Sequence, residues 1–74
     1  MRQIGQLVRV VSGRNTEGYS TSRSRYSGST GKIIAIVQEK PALYRITTAT
    51  AKEYGEKIEA GFALLVFADE LRPL

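Results

Sequence analysis

Residues 31–48 read Gly31-Lys-Ile-Ile-Ala-Ile-Val-Gln-Glu-Lys-Pro-Ala-Leu-Tyr-Arg-Ile-Thr-Thr48, and they decide the fold. The first eight are rich in β-branched side chains and apolar on both faces, the pattern of a strand at the centre of a sheet. Glu39-Lys40-Pro41-Ala42 then reads as a turn, because proline fixes its own φ and biases Lys40 toward extended geometry. Leu43 to Thr48 follows as a second strand, so 31–48 is expected to be a hairpin.

Working outward, Gln6-Leu-Val-Arg-Val-Val-Ser12 alternates. Val8 and Val10 fall on one face and Arg9 on the other, as a half-buried strand requires. On the other side of the hairpin, Phe62 to Phe67 reads as a buried strand and Ala68-Asp-Glu70 as a tight turn. Leu71 to Leu74 is a short last strand, with Pro73 tolerated at an edge or terminus. The adjacent carboxylates Asp69 and Glu70 are expected to cap the turn. The segment between, Thr50-Ala-Lys-Glu-Tyr-Gly-Glu-Lys-Ile-Glu-Ala-Gly61, supports two readings. Thr50 with Glu53 fits a capping box, and Ala51, Tyr54 and Ile58 share a helical face, which favours a short helix ended by Gly61. Gly55 costs such a helix roughly 1 kcal/mol, and the alternative is a hairpin turning near Gly55.

About five short strands in 74 residues point to a mainly β chain folded as one small barrel, since closure removes exposed strand edges. The length allows one domain, residues 1–74, with a modest core. Without cysteine, neither disulfides nor thiolate metal sites can reinforce it. No apolar run approaches the roughly 20 residues of a membrane helix, and the first residues lack a signal-peptide core, so a cytoplasmic location is expected.

The feature that breaks this regular pattern is residues 13–31, GRNTEGYSTSRSRYSGSTG, between the first strand and the hairpin. It holds three arginines, two tyrosines, five serines and one acid. Compact domains connect strands with far fewer residues, so a long polar loop of this kind either carries function or is a disordered Ser/Gly connector, and the first is expected here. The whole chain is basic, with 11 Lys and Arg against 7 Asp and Glu and a net charge of +4. Residues 1–32 hold six bases and Glu17 alone, whereas 33–74 hold five bases and six acids. The positive charge therefore belongs to the amino-terminal half and attracts polyanions or acidic protein faces.

Chemistry is narrowed by what is missing. With neither histidine nor cysteine, Ser–His and Cys–His nucleophile pairs and the common zinc sites are excluded. Gly28-Ser-Thr-Gly31-Lys32-Ile33 has the wrong spacing for a phosphate loop and no hydroxyl after its lysine. No metal, cofactor or enzymatic role is expected. Binding is what remains. Arg9, Arg14, Arg23, Arg25 and Lys32 can make charge-assisted contacts to phosphates or carboxylates. Tyr19 and Tyr26, interleaved with those arginines, can stack on unpaired bases.

Two resemblances sharpen the expectation. Gly5-x-x-Val8-Arg9-Val10-x-Ser12-Gly13 followed by Gly28-x-x-Gly31-Lys32-Ile33 resembles the KOW motif of ribosomal proteins and transcription elongation factors. That resemblance covers residues 5–37 and implies an SH3-like barrel that contacts nucleic acid. Here an insertion, Arg14 to Tyr26, separates the two halves, which the family joins by a few residues. The order Gly-x-x-Val-Arg-Val, Gly-x-Ile, Tyr-x-Ile and Phe67-Ala-Asp-Glu-Leu71 is also similar to small SH3-like accessory subunits of electron-transfer complexes. Among these are the peripheral photosystem I subunit and the variable chain of ferredoxin–thioredoxin reductase. It implies the same fold but a docking role toward an acidic protein. A nucleic-acid-binding module is the first expectation and an accessory docking subunit the second. A third is a homo-oligomer built on the apolar strands.

Overall fold

The computed structural model describes residues 2–11 and 25–74. They form six strands and almost no helix: β1 (Leu7–Val10), β2 (Thr30–Glu39), β3 (Ala42–Glu53), β4 (Glu56–Ile58), β5 (Ala63–Phe67) and β6 (Leu71–Pro73). The expected hairpin is β2–β3, paired antiparallel from Thr30↔Thr50 to Glu39↔Ala42, with Lys40 and Pro41 at its turn. β2 is central, with β1 on one side and β3 on the other.

The 50–60 segment is a hairpin, and the short helix favoured by its residue spacing does not form. β3 runs on to Glu53 and β4 returns alongside it, with Lys52↔Lys57 and Glu53↔Glu56 opposed. The turn is Tyr54-Gly55, with φ of 51° and 85°. Two consecutive left-handed residues are what a two-residue hairpin demands and what a helix cannot contain. Gly55 meets that demand without strain, which is why the chain turns here. The returning strand brings the total to six.

The sheet does not close into a barrel. Its order is β4-β3-β2-β1-β6, with β5 on β3. The long β3 divides its pairing, Leu43 to Thr47 with β5 and Ala51 to Glu53 with β4. β5 and β6 follow one another through a 3-10 turn at Ala68–Glu70 and do not pair, so the last ladder that closure needs is missing. Phe67 N–H donates to Glu70 Oε1 at 3.0 Å, so the Glu70 carboxylate caps that turn.

The curled sheet still encloses one core. Val8, Val10, Ile33, Tyr44, Ile46, Leu64, Val66 and Leu71 are buried, and Tyr26, Ala42, Phe62 and Ala68 pack against them. Val8 and Val10 point inward while Leu7 and Arg9 are exposed, as the alternation predicts. Gly31 lets β2 and β3 approach: a Cβ there would lie 2.2 Å from the Thr47 carbonyl oxygen. β1 reaches only as far along β2 as Lys32, with Gly5 and Gln6 adding backbone bonds at Ile33. Beyond that point Ile34, Ile36 and Val37 are exposed, so the second apolar face of β2 is open to solvent.

Candidate anion-binding face

The sheet registers place the charged side chains that the sequence leaves scattered. Arg9 on β1 is opposite Arg72 on β6 on one side and Thr30 on β2 on the other. Thr30 is in turn opposite Thr50 on β3. Directly opposed residues share a face, so Arg72, Arg9, Thr30 and Thr50 form one row across four strands. Residues two apart on a strand also share a face. Lys52 therefore lies beside Thr50, with Lys57 opposite it on β4. On the other side of the row, Lys32 is opposite Leu7. All five cations, Arg9, Lys32, Lys52, Lys57 and Arg72, are exposed.

Among the described residues this charge is largely unpaired. Arg9, Lys32, Lys52 and Lys57 have no carboxylate partner among the described residues. Arg72 Nη1 donates to the backbone carbonyls of Leu71 at 2.9 Å and Asp69 at 3.4 Å. Two cationic pairs, Arg9–Arg72 and Lys52–Lys57, thus oppose each other across strands. Like charges in that position destabilise a sheet.

The described end of the long loop is tied to the same region. Thr30 and Gly31, the last two residues of the expected 13–31 loop, belong to β2. Ser29 is buried, and its hydroxyl accepts from Lys52 N–H at 2.9 Å and donates to Lys52 O at 3.2 Å. Gly28 N–H donates to Val10 O at 2.7 Å, and Ser27 Oγ to Val11 O at 2.8 Å. The chain therefore re-enters the sheet between β1 and the tip of the β3–β4 hairpin.

At that tip Arg25 and Tyr54 meet. Tyr54 N–H donates to Arg25 O at 2.8 Å. The Arg25 guanidinium carbon lies 5.4 Å from the Tyr26 ring centre and 6.0 Å from that of Tyr54, within cation–π range. Arg25 Nε also donates to Glu53 Oε2, and this hydrogen bond is the first cause holding the guanidinium above its ordinary pKa. Tyr26 is half-buried, tilted against Phe62 with ring centres 5.6 Å apart. Tyr54 is 68% exposed.

The structure thus brings Arg9 and Lys32 onto one face, whereas Arg25, held by Glu53, and Tyr26, packed on the core, lie on the other side of β3 from Lys52. Arg14, Tyr19 and Arg23 lie outside the described residues. Sequence reasoning missed Arg72, Lys52, Lys57 and Tyr54. The only signal for Tyr54 was the Tyr-Gly pair at the centre of an ambiguous segment. Arg72 carried none, because its partner sits at the opposite end of the chain. Among the described residues no three or more His, Cys, Asp or Glu come together as a metal site. No helix of the described residues is long and apolar enough to cross a membrane. Comparison of the chain with protein-family models, with curated proteins and with solved structures returned no match.

Proposed function

We propose that this chain is a non-catalytic binding module that takes nucleic acid on the cationic face of β6, β1, β2 and β3. The observation that carries this reading is the Arg9–Arg72 pair, opposed across strands and exposed. Such a pair costs the sheet stability when empty, and an anion between the two guanidinium groups offsets that cost. Lys32 and Lys52 extend the positive surface on either side of the row. The KOW-like pattern of residues 5–13 and 28–33 supports the same reading and, with it, an SH3-like ancestry for the fold.

Four contacts, from Arg9, Lys32, Lys52 and Arg72, give a log–log salt slope of roughly -3 to -4, at 0.7 to 0.9 per phosphate. Fluorescence anisotropy with short labelled RNA and DNA between low and moderate salt measures it. Absence of binding at low salt, or binding unaffected by Arg9→Gln with Arg72→Gln, sinks the proposal.

One observation favours docking to an acidic protein instead. Leu7 and Leu74, 53% and 58% exposed, are joined by a backbone bond beside the arginine pair. A phosphate backbone makes little use of apolar surface, whereas a protein partner does. Pull-down from the native host after nuclease treatment separates the two, since a retained, defined protein complex supports docking.

A further inference from the structure

Tyr54 occupies a position where tyrosine is a poor choice for the fold. Its φ of 51° lies in the left-handed region, at the first of two turn residues in a two-residue hairpin. Asn, Asp and Gly are the residues such turns favour, and a bulky side chain there is strained. Strain retained at an exposed site motivates a functional explanation. The ring contributes little to the core: it is 68% exposed and is not among the residues packed on the buried cluster. Its environment also suits a ligand. The Arg25 guanidinium lies 6.0 Å from the ring centre, and Arg25 is itself held by Glu53 and by the Tyr26 ring. Two rungs back along the hairpin, behind the Glu53↔Glu56 pair that closes the turn, are Lys52 and Lys57, both exposed.

From this arrangement we propose that Tyr54 is a stacking platform for an unpaired base, which makes single-stranded nucleic acid the ligand class. The inference rests on the nucleic-acid reading of the cationic face. The backbone lies along Arg72, Arg9 and Lys52, and a base at its end reaches over the hairpin tip to stack on the Tyr54 ring beside Arg25. Duplex meets the same cations, but its bases are already stacked and offer the ring no free face. Every base has a π-face, so the contact adds affinity with little sequence preference.

The test compares a short labelled single-stranded RNA with the duplex it forms with its complement, using the full chain. A stacked base adds about 1–3 kcal/mol. At 1.4 kcal/mol per tenfold, Tyr54→Ala should therefore weaken single-strand binding by roughly 5- to 150-fold. Duplex binding should stay within about twofold, and Tyr54→Phe should restore single-strand affinity. Tyr54→Asn suits the turn, so it should keep the wild-type melting temperature to within a few degrees while losing single-strand binding like the alanine variant. Equal losses on single strand and duplex, or no loss on either, overturn the inference. If Arg9→Gln with Arg72→Gln weakens both ligands while the Tyr54 variants change neither, the cationic face stands and the stacking role falls. Absence of wild-type binding to both ligands overturns both.

Discussion

Arg9→Glu should stabilise the fold and weaken the binding in one step. Arg9 and Arg72 oppose each other across β1 and β6, and both are exposed. Their repulsion and the attraction of a Glu–Arg pair in the same place are each worth about 0.2–1 kcal/mol. The change from one to the other is a swing of about 0.4–2 kcal/mol. Exposure to water favours the lower part of that range, so about 1 kcal/mol is the working figure. In a domain of this size that raises Tm by about 4–8 °C. The gain should shrink in 1 M salt, where the Debye length is about 3 Å. Thermal melts of wild type, Arg9→Gln and Arg9→Glu at low and high salt measure it, with the glutamine variant falling between. In parallel, the salt slope of nucleic-acid binding should lose about one unit. A lower Tm for Arg9→Glu at low salt, or a gain indifferent to salt, refutes the reasoning, because the two side chains then do not feel each other.

Gly31→Ala places a Cβ 2.2 Å from the Thr47 carbonyl oxygen, a backbone atom that cannot swing aside. A loss of about 3 kcal/mol or more is expected in urea titrations, at the upper end of overpacking costs. Ser29→Ala removes the hydroxyl that pairs with both Lys52 N–H and Lys52 O. It should cost about 1–3 kcal/mol and speed hydrogen exchange at the Lys52 amide. Ile46→Ala empties a fully buried site between Ile33 and Leu64 and should cost about 2–5 kcal/mol by chemical denaturation. Glu53→Gln breaks the exposed pair with Arg25 and should change stability by less than about 1 kcal/mol.

Much of the fold was legible because the signals were local. Val8 and Val10 alternate with Leu7 and Arg9, and the run around Ile33 is too apolar for anything but a central strand. Pro41 marks the turn between β2 and β3. The helix expected over 50–60 failed because a capping box and a three-to-four spacing of apolar residues are weak evidence in twelve residues. A single glycine able to take a positive φ outweighed them, and Thr50, at the start of the segment, is already paired with Thr30 of β2. Closure of the sheet was not legible either, since strand count does not say whether the last two strands pair or merely follow each other. Of the candidate site, Arg9 and Lys32 could be read as basic residues on or beside a strand. Their neighbours could not. Arg72 meets Arg9 only through a ladder between the two ends of the chain, and Lys52 reaches the row only through a register shift between Thr30 and Gly31. Exposure of Tyr54 follows from the turn, which sequence spacing disguised as a helical face.

The pairing of β1 with β6 has a consequence for how ligand and folding are linked. It joins Val8, Arg9 and Val10 to Pro73, Arg72 and Leu71, so it is the ladder of greatest sequence separation in the sheet. Contacts of that kind carry the largest loop-closure cost, and the Arg9–Arg72 pair exists only once it is met. An unfolded chain keeps both charges but not their juxtaposition. Any anion that needs both guanidinium groups therefore binds the native state alone, and shifts the folding equilibrium by mass action. At a hundredfold excess over Kd that shift is about 2.7 kcal/mol, a large fraction of the stability of so small a domain. On the proposed reading, an anion bound by this face also supports its folding, and the chain should be more resistant to proteolysis with nucleic acid present than without it.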